Sequence, residues 1–308
     1  MASTLHPASA NGAFDGAAET EPPMTLAPPL PLRAAETVAP PVLQRVRGSA
    51  RIACRADGAV TRLAENFQSG SAKARFPRSP AGAPFEAVLL NTAGGVTGGD
   101  RLAYAVTAEA NARVVATTQA AERIYRRNEG VARIDTTLGV DAAASLEWLP
   151  QETILFDRSA LTRTLTADVH PTGRLLALEA IVLGRAAMGE TARSVVLADS
   201  WRIRRGGKLV FADGLRFTGD SVATLAGGAT GKGAAAAATL VLVAPDAEAA
   251  LDTARATLAG SDGEAGASAW NGMLVARLLA GDGETLRANL MRLIAALRGV
   301  SMPRVWLC

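Results

Sequence analysis

Five carboxylates, Glu122, Glu147, Glu152, Asp157 and Glu190, are the side chains of this sequence best suited to chemistry. Two such groups at the right separation could divide general acid and general base roles, which keeps open a carboxylate-dependent hydrolase with a cleft near Glu147, Glu152 and Asp157. Carboxylates can also meet a divalent cation, alongside carbonyl and water oxygen. The plainer alternative for each is a solvated strand-face charge paired with an arginine, as adjacent Asp157 and Arg158 invite. Other chemistry is thinly supplied, with two histidines and two cysteines in 308 residues. His6 lies in a Pro-rich stretch, and His170 precedes Pro171 at a predicted strand end, the setting of a surface turn. No G-x-S-x-G elbow accompanies it, so a nucleophile–histidine triad has no support. Cys54 sits on an apolar face and Cys308 ends the chain, so a tight tetrahedral site of clustered Cys and His is not available. Any cation handled here is expected to meet oxygen donors and to be held loosely.

Two glycine-rich segments could position such groups. Asn91 to Leu102 reads NTAGGVTGGDRL, and Gly227 to Gly233 reads GGATGKG. The first lacks the G-x-G-x-x-G spacing of a dinucleotide loop and leads into an alternating, strand-like run. The second lacks the first glycine and the terminal Ser or Thr of a phosphate loop, with Ala226 and Gly233 in those places. Both are expected to be turns that use glycine for positive φ and close backbone approach.

The elements around them follow from composition and period. Apolar residues make up 49% of the chain but aromatics only 4%, so the core is built of Ala, Val, Leu and Ile. The formal net charge of +3 is small, and the arginine clusters at 123–127 and 202–208 lack aromatic stacking partners, which argues against nucleic acid. No apolar run reaches the ~18 residues of a membrane span, and the first residues lack the basic start and apolar stretch of a signal peptide. A cytoplasmic protein with two unpaired thiols is expected. Residues 1–42 are rich in Ala and Pro and read as a disordered tail, leaving 43–308 as one β domain.

Within that domain the dominant period is two. Leu161, Leu165, Ala167 and Val169 alternate with polar residues, and Arg163 is the one exception on the apolar side. Asp57-Gly58 and Gly206-Gly207 each separate two alternating runs, the signature of a hairpin. Strands joined by such short turns predict antiparallel sheets. Thr117, Thr118 and Gln119 read as a strand ending in a turn, and Trp148-Leu149-Pro150 as core or interface. Two segments carry helical period instead, Asp246–Leu258 and Asp282–Leu297, the second stopped by Gly299, with a strand at Met273–Leu279 between them. The C-terminal Pro303-Arg304-Val305-Trp306-Leu307 presents large apolar groups suited to burial against a partner.

Five ordered motifs carry a resemblance. They are the Asn91–Leu102 segment, TTQAAERIYR at Thr117–Arg126, LEWLPQETILFD at Leu146–Asp157, GRAAMGE at Gly184–Glu190, and PRVW at Pro303–Trp306. Together, from about Leu43 to the C-terminus, they resemble the urease accessory protein family UreD, called UreH in some bacteria. The resemblance implies a mainly β fold, with stacked antiparallel or mixed strands in a helix-like arrangement and two α-helices in the C-terminal half. It implies a non-catalytic scaffold and metallochaperone that binds apo-urease and UreF, and UreG through UreF. The resemblance further implies that no cofactor is tightly bound and that Ni²⁺ passes transiently through a water-filled passage toward the urease active site. By the same resemblance Asp157 and Glu190 are placed on that passage, although by their surroundings alone each fits a structural ion pair equally well.

Overall fold

Alternation of period two becomes, in the folded chain, a set of strands sharing one inward face. The computed structural model describes residues 44–185 and 188–307; the expectations for the N-terminal tail and for Cys308 fall outside them. The chain starts as a hairpin of β1 (Arg47–Asp57) and β2 (Val60–Gly70), whose turn opens on Gly58 at φ 60°. It continues through β3 (Ala72–Arg75) and β4 (Phe85–Asn91), then β5 (Arg101–Ala108), β6 (Arg113–Thr118) and the short β7 (Glu122–Ile124). Next come β8 (Ala132–Val140), β9 (Ser145–Leu149), the short β10 (Thr153–Leu155), β11 (Ala160–Val169), β12 (Arg174–Leu183) and β13 (Ser194–Arg205). The last part is β14 (Lys208–Asp220), α1 (Ser221–Ala226), β15 (Ala236–Val243), α2 (Leu251–Leu258), β16 (Glu264–Trp270), β17 (Met273–Ala280) and α3 (Gly283–Arg298).

From β4 to β13 the chain alternates between two sheets, apart from the short β7 and β10. One sheet is seven-stranded, and in it β1, β5, β8, β11 and β13 run parallel; the other is ten-stranded and holds β4, β6, β9 and β12 in parallel. Each coil of chain lays one strand in each sheet, which makes the middle of the fold solenoid-like. Antiparallel strands finish the stack: β2 on β1, β3 on β4, β14 on β13, and β15, β17 and β16 beyond β12. The antiparallel pairing expected from short turns thus holds at the ends and fails in the middle. There a short turn crosses from one sheet to the other, so neighbours within a sheet are one full coil apart and point the same way.

The core divides into two layers. Inward residues such as Leu102, Leu138, Leu146, Leu161, Leu175 and Ile203 fill the space between the sheets. The outer face of β12, β15 and β17 packs on α2 and α3 through Leu178, Leu240, Leu274, Leu286, Leu290 and Leu293. These strands are therefore apolar on both faces and read as nearly continuous apolar runs. The helix α3 begins where Asp282 accepts the Thr285 amide (2.7 Å) and stops at Gly299 with φ 66°, as the sequence predicts. The other predicted helix is shorter than its pattern, with a 3₁₀ turn at Ala247–Ala250 leading into α2. The short α1 and the hairpin β16–β17, turned by Asn271 (φ 53°) and Gly272 (φ 72°), were not expected.

Candidate functional site

Cross-strand register places a polar column inside this core. In the seven-stranded sheet the inward positions Leu102, Ile134, Arg163, Asp199 and Leu215 are successive partners on β5, β8, β11, β13 and β14. On the ten-stranded sheet Glu179, Thr239 and Arg277 are partners on β12, β15 and β17. Midway along the coil stack, apolar side chains thus give way to charge. Arg163 is 3% exposed, Glu179 and Asp199 7% each. The guanidinium binds Asp199 through Nε (3.2 Å) and Nη2 (2.5 Å), and through Nη1 it reaches Glu179 (2.5 Å) and the Thr153 hydroxyl (3.0 Å). The second Glu179 oxygen accepts the Trp148 indole N–H at 3.0 Å.

Electrostatically the cluster is unbalanced, with two carboxylates on one guanidinium. Burial works against the Arg163 charge, yet Asp199 and Glu179 hold it more firmly protonated than usual. Burial pushes the Glu179 carboxyl up, Arg163 pulls it down and Asp199 adds to the rise. With both acids ionised, the buried group carries one net negative charge, an arrangement that a passing cation would relieve.

Two cavities meet at this cluster. One of about 40 Å³ is bounded by Tyr104, Glu122, Gln151, Thr153, Arg163 and Glu179. The other, about 210 Å³, is bounded by Arg163, Glu179, Asp199, Asp213, Thr239 and Arg277. Arg163 and Glu179 are common to both. At the outer end of the larger cavity Arg277 pairs with Asp213 at 2.8 Å and is 57% exposed, so this end faces solvent. In the smaller cavity the Glu122 carboxylate takes the Asn91 amide at 3.0 Å. Burial raises its pKa to about 7, against smaller downward pulls from Asn91 and Arg123. Both cavities are walled mainly by apolar surface, and most of the polar side chains bordering them offer oxygen. The Cys54 thiol is buried elsewhere in the core and pushed up to about 12, first by burial and then by Glu109, which leaves it protonated. Such a donor set suits a hard or borderline divalent ion held weakly.

Of the five carboxylates singled out from sequence, Glu122 borders the smaller cavity and the other four border neither. Asp157 accepts the backbone amides of Arg193 (2.9 Å) and Ser194 (2.8 Å) and lies 3.8 Å from Arg158, fastening the loop after β10 to the start of β13. Glu190 pairs with Arg185 at 2.6 Å, and that guanidinium stacks on Phe156 at 4.3 Å. Neither borders the two cavities. The three acids of the hydrolase alternative are also separated by their partners: Glu147 holds Arg298 (2.6 Å), Glu152 faces Arg287 (3.5 Å), and Asp157 braces its loop. Among the described residues no three Asp, Glu, His or Cys side chains converge as a metal cluster would. His170 is an exposed turn residue bonded to Thr172, as expected.

Other motifs prove architectural. Gly94, Gly95 and Gly99 take positive φ, and a Cβ on Gly95 or Gly98 would strike the 123–129 segment. Buried Asp100 closes that loop by accepting the amides of Val46 and Thr97. Trp306 was expected to face a partner but is 2% exposed, its indole donating to the Leu149 carbonyl (3.1 Å) and its ring lying under Arg287 (4.8 Å). Of the apolar residues in that tail, Leu307 alone is well exposed. Sequence reading flagged Arg163 as an oddity but passed over its partners Glu179 and Asp199. The available signal was a single acid at an inward position of each apolar run.

These features define a class: a coiled β fold with a buried Arg163–Glu179–Asp199 cluster bordered by two cavities. Across residues 46–307 the chain matches the model of the family described as UreD urease accessory protein, and it belongs to that family. Relatives named Urease accessory protein UreD agree. The one from Azorhizobium caulinodans is 46% identical over 266 residues, covering 86% of this chain and 98% of that relative. Those from Rhizobium leguminosarum bv. trifolii and Sinorhizobium medicae are each 48% identical, covering 85% and 89% of this chain and 96% and 99% of the relatives.

Proposed function

We propose that this protein is a non-catalytic, cytoplasmic scaffold of urease maturation. It binds apo-urease and UreF, with UreG recruited through UreF, and a Ni²⁺ ion in transit passes through its interior. Family membership supports the role in urease maturation. The observation that supports the route is a pair of cavities that share Arg163 and Glu179 in their walls, with carboxylates at Glu122, Glu179, Asp199 and Asp213 bordering them. Oxygen donors that are partly engaged by the protein bind a borderline ion weakly, which is what transfer requires. Asp157 and Glu190, whose side chains are 32% and 24% exposed and border neither cavity, are proposed as weak, transient contacts of the ion outside them.

The test is maturation of apo-urease by the complex carrying Glu179→Gln or Asp199→Asn. Co-purification with UreF should persist, while nickel per urease active site, measured by mass spectrometry, should fall. Full nickel loading with both variants would remove the interior route. Turnover of a substrate by the purified chain alone would overturn the non-catalytic assignment.

A further inference from the structure

Arg163 is the feature that the corridor itself does not require. A route for a cation has no need of a buried cation, yet the guanidinium stands where the two cavities join and makes four hydrogen bonds, two to Asp199, one to Glu179 and one to Thr153. We propose that Arg163 is an internal competitor for the travelling ion: it closes the junction when no ion is there and expels the ion after it has passed.

The charge count supports exchange over coexistence. With both carboxyls ionised, Arg163, Glu179 and Asp199 total −1. Adding a divalent ion while the guanidinium stays would give a buried +1, whereas replacing the guanidinium by the ion gives zero. Ion and guanidinium are therefore alternative partners of the same oxygen atoms. The guanidinium has room to withdraw, because the cavity of about 210 Å³ lies beside it. Asp213 borders that cavity and offers a second acceptor, since its present partner Arg277 is largely solvated. An Arg fork is bidentate and always charged, so it competes well against a weakly held ion; a lysine would compete as a point charge only. Without the competitor, two buried carboxylates would remain with no counter-ion, which is a trap for divalent metal.

This inference rests on the interior-route reading, and its test separates the two. Nickel affinity of the purified full-length chain is measured by equilibrium dialysis against nickel sulfate for the wild type, Arg163→Met, Arg163→Lys and the double variant Arg163→Met/Asp199→Asn. The double variant keeps the net charge of −1 and serves if Arg163→Met does not fold. Arg163→Met, or the double variant, should bind nickel at least tenfold more tightly than wild type; Arg163→Lys should fall between. In the assembled complex the tighter variants should retain nickel and load urease more slowly. Unchanged or weaker affinity in the folded Met variants would overturn the competitor role. If that result came while Glu179→Gln still impaired urease loading, the route would stand and only the competitor would fall. Normal loading with Glu179→Gln and Asp199→Asn would instead remove the route beneath it.

Discussion

Glu122 couples the interior to pH in a way that can be measured without nickel. Its carboxyl is raised by burial from an ordinary 4.5 to about 7 in the folded chain. Folding therefore favours the protonated form. Between these two values the unfolded chain has already released the proton while the native chain retains it, so stability falls as pH rises through the window and levels off above the folded value. Treating the group as a single site, the loss between about pH 5 and about pH 8 is ~2.5 kcal/mol. Glu122→Gln removes the titration and keeps an oxygen to accept the Asn91 amide. Other carboxyls shifted upward by burial, Glu86, Glu147 and Glu179, are common to both proteins and cancel in the difference. The assay is guanidinium chloride unfolding of the metal-free full chain, wild type and variant, at the two pH values. The wild type should lose about 2.5 kcal/mol more than Glu122→Gln across the interval. Parallel losses would mean that Glu122 titrates in the folded state as it does unfolded, and the picture of a dry, carboxylate-bearing chamber would fail.

Other outcomes follow from particular contacts. Trp306→Ala should cost about 3–5 kcal/mol by thermal or chemical denaturation, because it opens a cavity and removes one of the two side-chain donors to the Leu149 carbonyl, Thr117 keeping the other, whereas exposed Leu307→Ala should change stability by less than about 0.5 kcal/mol. Asp157→Ala releases two backbone amides and should cost about 1 kcal/mol, while Glu190→Ala breaks a part-exposed ion pair and should cost under about 1 kcal/mol. If either serves the nickel route, its variant also lowers urease nickel content with UreF binding intact; unchanged content in both would exclude them. Deleting residues 1–40 should leave urease activation nearly unchanged, and a large loss of activity in a maturation assay would show that the segment acts as more than a tail.

Local chemistry was legible in the sequence; neighbours were not. Gly206-Gly207 and Gly58 mark real hairpins because positive φ at a two-residue turn is a local demand, and Asp282 and Gly299 bound α3 for equally local reasons. Asn271-Gly272 carries the same kind of signal and would have revealed β16 had it been given its weight. Period two reports which face of a strand is buried but is silent on which strand lies beside it, so the parallel coils were invisible. The interior site suffered from the same limit. Glu179 and Asp199 look like ordinary acids until the fold sets Asp199 beside Arg163 on the next strand and Glu179 across from it on the facing sheet. Asp157 and Glu190, chosen from motifs, are engaged respectively by the Arg193 and Ser194 amides, which the fold brings to Asp157, and by nearby Arg185.

Stability alone gives no reason for charge at these positions. Burying an ion pair or triad exacts a desolvation penalty that its mutual attraction often fails to exceed, and apolar replacement of similar volume is frequently neutral or stabilising by about 1–4 kcal/mol. The combined variant Arg163→Met, Glu179→Gln, Asp199→Leu makes that comparison here. Glutamine is chosen to replace Glu179 so that the Trp148 indole N–H keeps an oxygen acceptor, whose loss would itself cost about 1–3 kcal/mol. The prediction is a protein that unfolds at the same denaturant concentration as wild type or higher, still co-purifies with UreF, and no longer supports full nickel loading of urease. Severe destabilisation would make the cluster a structural element, and undiminished loading would leave it without a part in transfer. Retained stability with lost loading can arise only if the charges serve what moves through the fold and not the fold itself.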